Sequence, residues 1–336
     1  DRMYKATINP TTIKDEIGRV LTIEKSSSFY FYSRSEREYI SWSKTNGILE
    51  RYGPQHVPLS IKGIKSFDLR IYKIDPVSKI FWPFPKMPVT VNESILPPGP
   101  GEEPPNENSI NHPLSSTDIA THIKMLGSPH YSEVISVDQE KTAKYKTLDL
   151  KAKFERIAGK EKAGAYLIGF RELNGSTLRH YVKLLVTDLC LTTVTSKSQI
   201  HFSVTSYKTG DPLSGAKISL EGMGYVQGSN KKVFTRLKEV STDRNGMAAL
   251  EQGCLYNKDK PQSLRRVVIS YEDDTLVLDA DGVLTPEKYA NNHWYGESKG
   301  WLSSLFDASG KTDEQRKIAG FVCTERPVYR PEDTVH

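Results

Sequence analysis

The chain has 336 residues, of which 37% are hydrophobic and 26% charged, a balance that excludes a disordered polymer and leaves room for roughly two to three domains of about 100–150 residues. Its 46 basic and 41 acidic residues give a net charge of +5. They are interspersed, and short pairs such as Lys231-Lys232 and Arg265-Arg266 read as solvated surface, not as the longer basic stripe that nucleic acid requires.

No apolar run approaches the roughly 18 residues of a membrane span, and Asp1 opens no signal peptide or lipidation motif. The 17 Tyr and 11 Phe favour strands, and the modest apolar fraction suits several thin β-sandwiches better than one large core. From the N-terminus, strands are expected at Arg19–Glu24, Ser28–Tyr32, Arg37–Trp42 and Val57–Ile61, with turn residues at Asn46-Gly47 and Gly53-Pro54. Ser66–Asp75 is the best strand of this half. Phe67, Leu69 and Ile71 share one parity, and Asp68 and Arg70 the other, which predicts one apolar and one mostly polar face in a half-exposed antiparallel sheet.

Ten of the 19 prolines lie between Pro76 and Pro113. Residues 76–115 are therefore expected as a long surface insertion, partly extended. Phe81, Trp82 and Phe84 within it are aromatic enough to dock on the protein or on a partner. Capping residues Ser115, Ser116 and Thr117, followed by Ile119, Ile123 and Leu126, predict a short helix over 116–126. Strands return at Tyr131–Val137, Ala143–Phe154, Gly164–Phe170 and Arg179–Leu189, the last two as a hairpin about Asn174-Gly175. One β-domain closes near residue 190.

A second β-domain, 191–322, follows without a linker. Ser198–Tyr207 alternates, with Ile200, Phe202 and Val204 on one face. Thr209–Gly215 is turn chemistry. Further strands are expected at Ala216–Leu220, Val233–Glu239, Met247–Leu250 and Arg266–Tyr271, a spacing that indicates a sandwich. Residues 279–318 read as a second, polar insertion, with helix starts at Thr285-Pro286 and Ser298–Phe306 and with Trp294 and Trp301 as further candidate partner contacts. Residues 323–336 read as a strand, a Pro-led turn and the first residues of a new strand, as expected of a fragment that stops while beginning another domain.

Local motifs resemble the alpha-2-macroglobulin family. The segment Val186–Thr193, with Thr187 and Asp188, resembles the linker strand of its bacterial members. Val204–Ile218, with Gly210 and Pro212, resembles their hairpin, and Ser241–Ala248, with Thr242, Asp243 and Gly246, resembles the turn that follows. The tail with Tyr329, Arg330 and Pro331 resembles the element that opens macroglobulin domains. Cys190 and Glu332 stand where that pattern has Gly. The resemblance implies an all-β chain of tandem macroglobulin, fibronectin III-like, antiparallel β-sandwiches with long insertions. It further implies an exported, periplasmic scaffold of a broad protease trap, partnered by the remaining domains of its own chain and, through the intact protein, by target proteases. The different-class alternative is an Ig-like surface adhesin or binding module, with a periplasmic or surface partner.

The residues offer no catalytic constellation. Cys323–Arg326 is close to the family's Cys-x-Glu-Gln thioester run but lacks the Gln. Gly222–Gly228 is a poor dinucleotide loop and reads as a hairpin turn, since a strand rather than a helix follows. Eight scattered histidines lack metal spacing, and the acidic run Glu272–Asp281 reads as a solvated loop before a strand, not a calcium site. No cofactor is expected. Cys190, Cys254 and Cys323 form no C-x-x-C pair; Cys190 reads as a small core residue, with a Cys190–Cys323 bond as the alternative. Asn92-Glu93-Ser94 and Asn174-Gly175-Ser176 are formal glycosylation sequons.

Overall fold

The computed structural model of the protein describes residues 2–20, 22, 28–33, 39–42, 47–85, 87–94, 113–137, 145–196, 198–225, 231–251, 253–255 and 262–280. The tail with Tyr329, Arg330 and Pro331, the residues Trp294, Trp301 and Cys323, and nearly all of the 279–318 insertion lie outside them.

In sequence order, the described strands are β1 (Arg2–Thr7), β2 (Ser28–Ser33), β3 (Tyr39–Trp42), β4 (Gly47–Glu50), β5 (His56–Lys62), β6 (Ser66–Ile74), β7 (Val89–Asn92), β8 (Tyr131–Ser136), β9 (Tyr145–Asp149), β10 (Gly164–Glu172), β11 (Leu178–Thr187), β12 (Leu189–Thr195), β13 (Gln199–Ser206), β14 (Lys217–Tyr225), β15 (Lys232–Ser241), β16 (Met247–Glu251), β17 (Ser263–Tyr271) and β18 (Asp274–Asp279). Two α-helices interrupt them, α1 (Ser116–Leu126) and α2 (Lys151–Ala158).

β1 and β2 form an antiparallel pair of their own. The first sandwich faces a large sheet, ordered β4-β11-β10-β6-β8 with β7 also on β11, against the small sheet β3-β5-β9. The β10–β11 hairpin turns at Asn174-Gly175, and β4 joins the edge of β11 in parallel, a departure from the all-antiparallel expectation. Phe67, Leu69, Ile71, Tyr166, Ile168, Phe170, Val182 and Leu184 fill the space between the two sheets, together with Ile40, Trp42, Val57 and Leu59.

The half-exposed reading of β6 needs correcting. Its second face is also buried, because Tyr72 and Ile74 pack under α1 and the 76–91 segment. Asp68 and Arg70 on that face belong to a closed charge cluster. Arg179, with no exposed surface, donates through Nε to Glu93 at 2.7 Å and through Nη2 to the Asp68 carboxylate. Arg70 and Arg171 complete the cluster with contacts of 3.2 Å and 3.0 Å to Glu93. Parity placed Asp68 and Arg70 on one face correctly, but it could not say that three guanidinium groups would satisfy two carboxylates there and so permit burial.

The helix α1 forms where its caps predict. Ser115 accepts from the Asp118 N–H and Asp118 accepts from the Ser115 N–H, a reciprocal capping box. Ile119 and His122 are its buried residues. By contrast, the expected strand Ala143–Phe154 is strand only over β9, within the described residues, and then becomes α2. The run Lys151–Ala158 consists of helix formers apart from Phe154 and Ile157, and Asp149 accepts the Lys151 N–H at 2.9 Å. Phe154 stacks on Tyr166 with centroids 4.0 Å apart.

The second sandwich packs β12-β13-β16 against β15-β14-β17-β18. Ile200, Phe202 and Val204 face Ile218, Leu220, Val267 and Ile269, as alternation requires. Gly222 and Gly224 are not in a hairpin turn; both lie within β14. A bulge falls between Glu221 and Gly222, and a Cβ on Gly222 would strike the Ser263 carbonyl of the neighbouring strand. Here glycine permits close backbone approach rather than a reversal.

Candidate functional site

The polypeptide passes from the first sandwich to the second at Thr187–Leu189, and two clusters of side chains lock that seam. The first is built around the turn Glu272-Asp273 between β17 and β18. Thr187 donates its hydroxyl to Asp274 Oδ1 at 2.6 Å, and the Asp188 N–H donates to Asp274 Oδ2 at 2.8 Å. Arg51 reaches across from the end of β4, donating to Asp273 at 3.0 and 3.2 Å and to Asp274 at 3.4 Å, while its Nε donates to the Glu161 carbonyl at 2.7 Å. Lys162 adds a 3.0 Å bond to Asp273. The hydrogen bonds from Lys162 and Arg51 hold the Asp273 carboxyl below its ordinary range.

These two neighbouring aspartates differ in environment. Asp274 is 3% exposed, whereas the Asp273 side chain is 44% exposed. The acidic run expected as a solvated loop therefore contains a buried structural carboxylate. Asp188 extends the lock, accepting from the Ser206 hydroxyl at 2.6 Å and from the Lys208 N–H at 2.9 Å.

The second cluster holds the aromatic strap 76–85. Phe81, Trp82 and Phe84, expected to dock either on the protein or on a partner, are buried in the protein itself. Each such side chain gains about 1.5–3 kcal/mol by leaving water, and for Trp82 the β14-β15 strands offer the complementary surface. Trp82 packs with Met223 and Phe234 and donates its indole N–H to Asp279. Arg266 lies with its guanidinium 4.9 Å from the Trp82 ring and 5.4 Å from Phe234. It also donates to Glu221 at 2.7 Å and to the Val77 carbonyl at 2.8 Å. Arg266 was expected on the solvated surface; Glu221, opposite it in register, and two aromatic faces make its burial tolerable.

The other side of the strap is tied to the first sandwich. Lys183 Nζ donates to the Phe81 carbonyl at 3.1 Å, and burial pushes its ammonium pKa down to about 8 despite the nearby Asp279 carboxylate. Phe81 meets His122 edge-on at 5.6 Å, and burial lowers the His122 pKa. The Leu114 N–H donates to the Pro83 carbonyl at 3.0 Å.

The motif residues of the second sandwich are turn and joint formers. The buried Thr242 hydroxyl donates to the Leu213 carbonyl and accepts the Ala216 N–H at 2.9 Å. Asp243 Oδ1 accepts the Asn245 and Met247 N–H groups at 2.8 and 2.9 Å. Gly210 has φ 75° and Gly246 φ 69°, and a Cβ on Gly246 would lie 2.7 Å from the Val204 carbonyl oxygen. Pro212 pairs with Thr205 in an isolated bridge. Thr187, Asp188, Gly210, Pro212, Thr242, Asp243 and Gly246 thus gather at one sandwich and its entrance.

Arg51, Lys183, Arg266 and Asp274 were not foreseen at the seam. The sequence signal for Lys183 is a charged residue at an inward-facing strand parity within Arg179–Leu189; Arg51, past the end of β4, carries no such signal. Among the described residues, no three His, Cys, Asp or Glu side chains are placed to hold a metal ion, and no helix is long and apolar enough to cross a membrane.

No protein family and no curated protein matches the sequence. Among solved structures, it is similar to native alpha-2-macroglobulin from Escherichia coli spanning domains MG0-NIE-MG1, at 13% identity and a TM-score of 0.49, over 83% of this protein and 74% of that one. It is also similar to the NIE-MG1 portion of the same protein, at 12% identity and a TM-score of 0.46, over 74% of this protein and 99% of that one. A third similar structure is the trypsin-activated Escherichia coli protein, at 12% identity and a TM-score of 0.44, with 14% of its length matched.

Proposed function

We propose that the protein is scaffold in an exported protease trap of the alpha-2-macroglobulin type, with two macroglobulin-like units meeting at Asp188 and no chemistry of its own. The observation that carries this reading is the double lock at the seam. Thr187 and Asp188, which resemble the family's linker strand, are the residues that engage the buried Asp274, so the motif serves to fix one unit against the next. A wall that must hold shape until a distant cleavage rearranges it needs such a joint. The partners are the remaining domains of the same polypeptide, and through them target proteases in the periplasm.

The adhesin reading has the proline-rich insertion 76–113 display ligand contacts, and its most aromatic stretch is 81–84. Phe81, Trp82 and Phe84 are buried within the protein, so that stretch offers no exposed aromatic contact. The test is to incubate the intact parent protein with several unrelated proteases. Trapping predicts cleavage within one defined segment, with the proteases retained but shielded from large substrates. Cleavage at scattered sites without retention would overturn it.

A further inference from the structure

The geometry points to Asn174-Gly175, at the tip of the β10–β11 hairpin, as a spontaneous modification site at which Asn174 converts to isoaspartate and aspartate. Two described Asn-Gly pairs have the same local sequence chemistry but opposite surroundings. The reaction needs the backbone nitrogen of the glycine to reach and attack the asparagine Cγ. A new N–Cγ bond closes a five-membered imide, the Cγ–Nδ2 bond breaks, and Nδ2 leaves as ammonia with the former amide proton of the glycine. Water then adds across either imide C–N bond, giving isoaspartate or aspartate.

At Asn174 the backbone has room for that approach. Residues 173–175 are exposed, and nothing stands within 4 Å of the place a Gly175 Cβ would take, so the backbone can rotate. The Gly175 N–H has no partner among the described residues. The Ser176 N–H donates to Asn174 Oδ1 at 3.2 Å, polarising the carbonyl that is attacked. At Asn245 the attacking nitrogen is engaged, because the Gly246 N–H donates to the Asp243 carbonyl at 3.0 Å. Gly246 is also wedged against Val204 and Pro212, and its carbonyl accepts the Val204 N–H at 2.9 Å. The second sandwich must open before that imide can form.

Conversion matters locally. Asn174 Nδ2 donates to Glu172 Oε2 at 2.9 Å, and Glu172 Oε1 accepts the Ile40 N–H at 2.9 Å. A carboxylate at 174 replaces that donor with a second negative charge beside the group that ties β3 to β10.

The experiment is peptide mapping of the full-length protein through prolonged incubation at mildly alkaline pH, native and in denaturant, following the peptides that contain Asn174 and Asn245. In the native protein Asn174 is expected to convert at least about tenfold faster, a barrier difference of about 1.4 kcal/mol. In denaturant the two rates converge. Equal native rates, a faster Asn245, or a rate ratio that survives denaturation would overturn the assignment.

Discussion

Replacing Asp274 with Ala removes the acceptor of the Thr187 hydroxyl at 2.6 Å, of the Asp188 N–H at 2.8 Å and of Arg51 at 3.4 Å. Bonds to a charged group contribute about 1.5–3 kcal/mol each, and truncating one member of a buried, hydrogen-bonded charge pair costs about 3–5 kcal/mol because its partners stay buried and unsatisfied. Arg51 retains Asp273, so the loss is expected near 3–5 kcal/mol and not at the sum of three bonds. Asp273→Ala removes the contacts of Arg51 and Lys162 at 3.0 Å, but its side chain is 44% exposed and water replaces the carboxylate, so it should cost about 1 kcal/mol or less. Urea unfolding followed by circular dichroism separates the two. With a slope of about 2–3 kcal/mol/M, the Asp274→Ala midpoint for the second sandwich falls by about 1–2 M, while Asp273→Ala remains near wild type. If the two variants unfold alike, or Asp274→Ala stays within about 1 kcal/mol of wild type, the buried lock is not what holds the seam.

Three further outcomes follow from the same geometry. Trp82→Phe keeps most of the ring contact with Phe234 and Arg266 but loses the Asp279 bond, and should cost about 1–3 kcal/mol. Trp82→Ala should cost about 3–5 kcal/mol and raise protease sensitivity within 76–85; resistance equal to wild type would mean that the strap does not depend on its tryptophan. Lys183 holds its proton less tightly folded, at about 8, than at its ordinary 10.5. The unfolded state is therefore the better proton binder between those values, and stability rises with pH across that window. Thermal melts from pH 7.5 to 9.5 should show the rise in wild type and its loss in Lys183→Met, and an unchanged slope in the variant would assign it to another group. Gly246→Ala must accept a positive φ and crowd the Val204 carbonyl, for a loss of about 1–3 kcal/mol measured by calorimetry; a neutral result would mean that the turn relaxes freely.

Much of this fold was legible locally. Alternation located β13 and its inward Ile200, Phe202 and Val204 because a strand's period of two needs only its own residues to express it. Asn174-Gly175 and Gly246 marked reversals because their backbone conformations are local properties. The capping residues Ser115, Ser116 and Thr117 marked α1 for the same reason. The strand-to-helix change at Lys151 was missed because Tyr145–Phe154 carries enough apolar residues to suit either period, and Phe154 is resolved only by the Tyr166 ring it stacks on.

The sequence by itself determined the all-β class, the turn positions and the apolar faces, since each is set by neighbours along the polypeptide. Tertiary structure alone decided what covers each face: which of two adjacent aspartates is buried, that Arg266 leaves the surface for Trp82 and Glu221, and that Phe81, Trp82 and Phe84 pack inward. Those outcomes depend on partners far apart in sequence, such as Thr187 with Asp274 and Trp82 with Asp279. A buried charge or aromatic ring is stable only when such a partner is supplied, and periodicity carries no information about where the partner comes from.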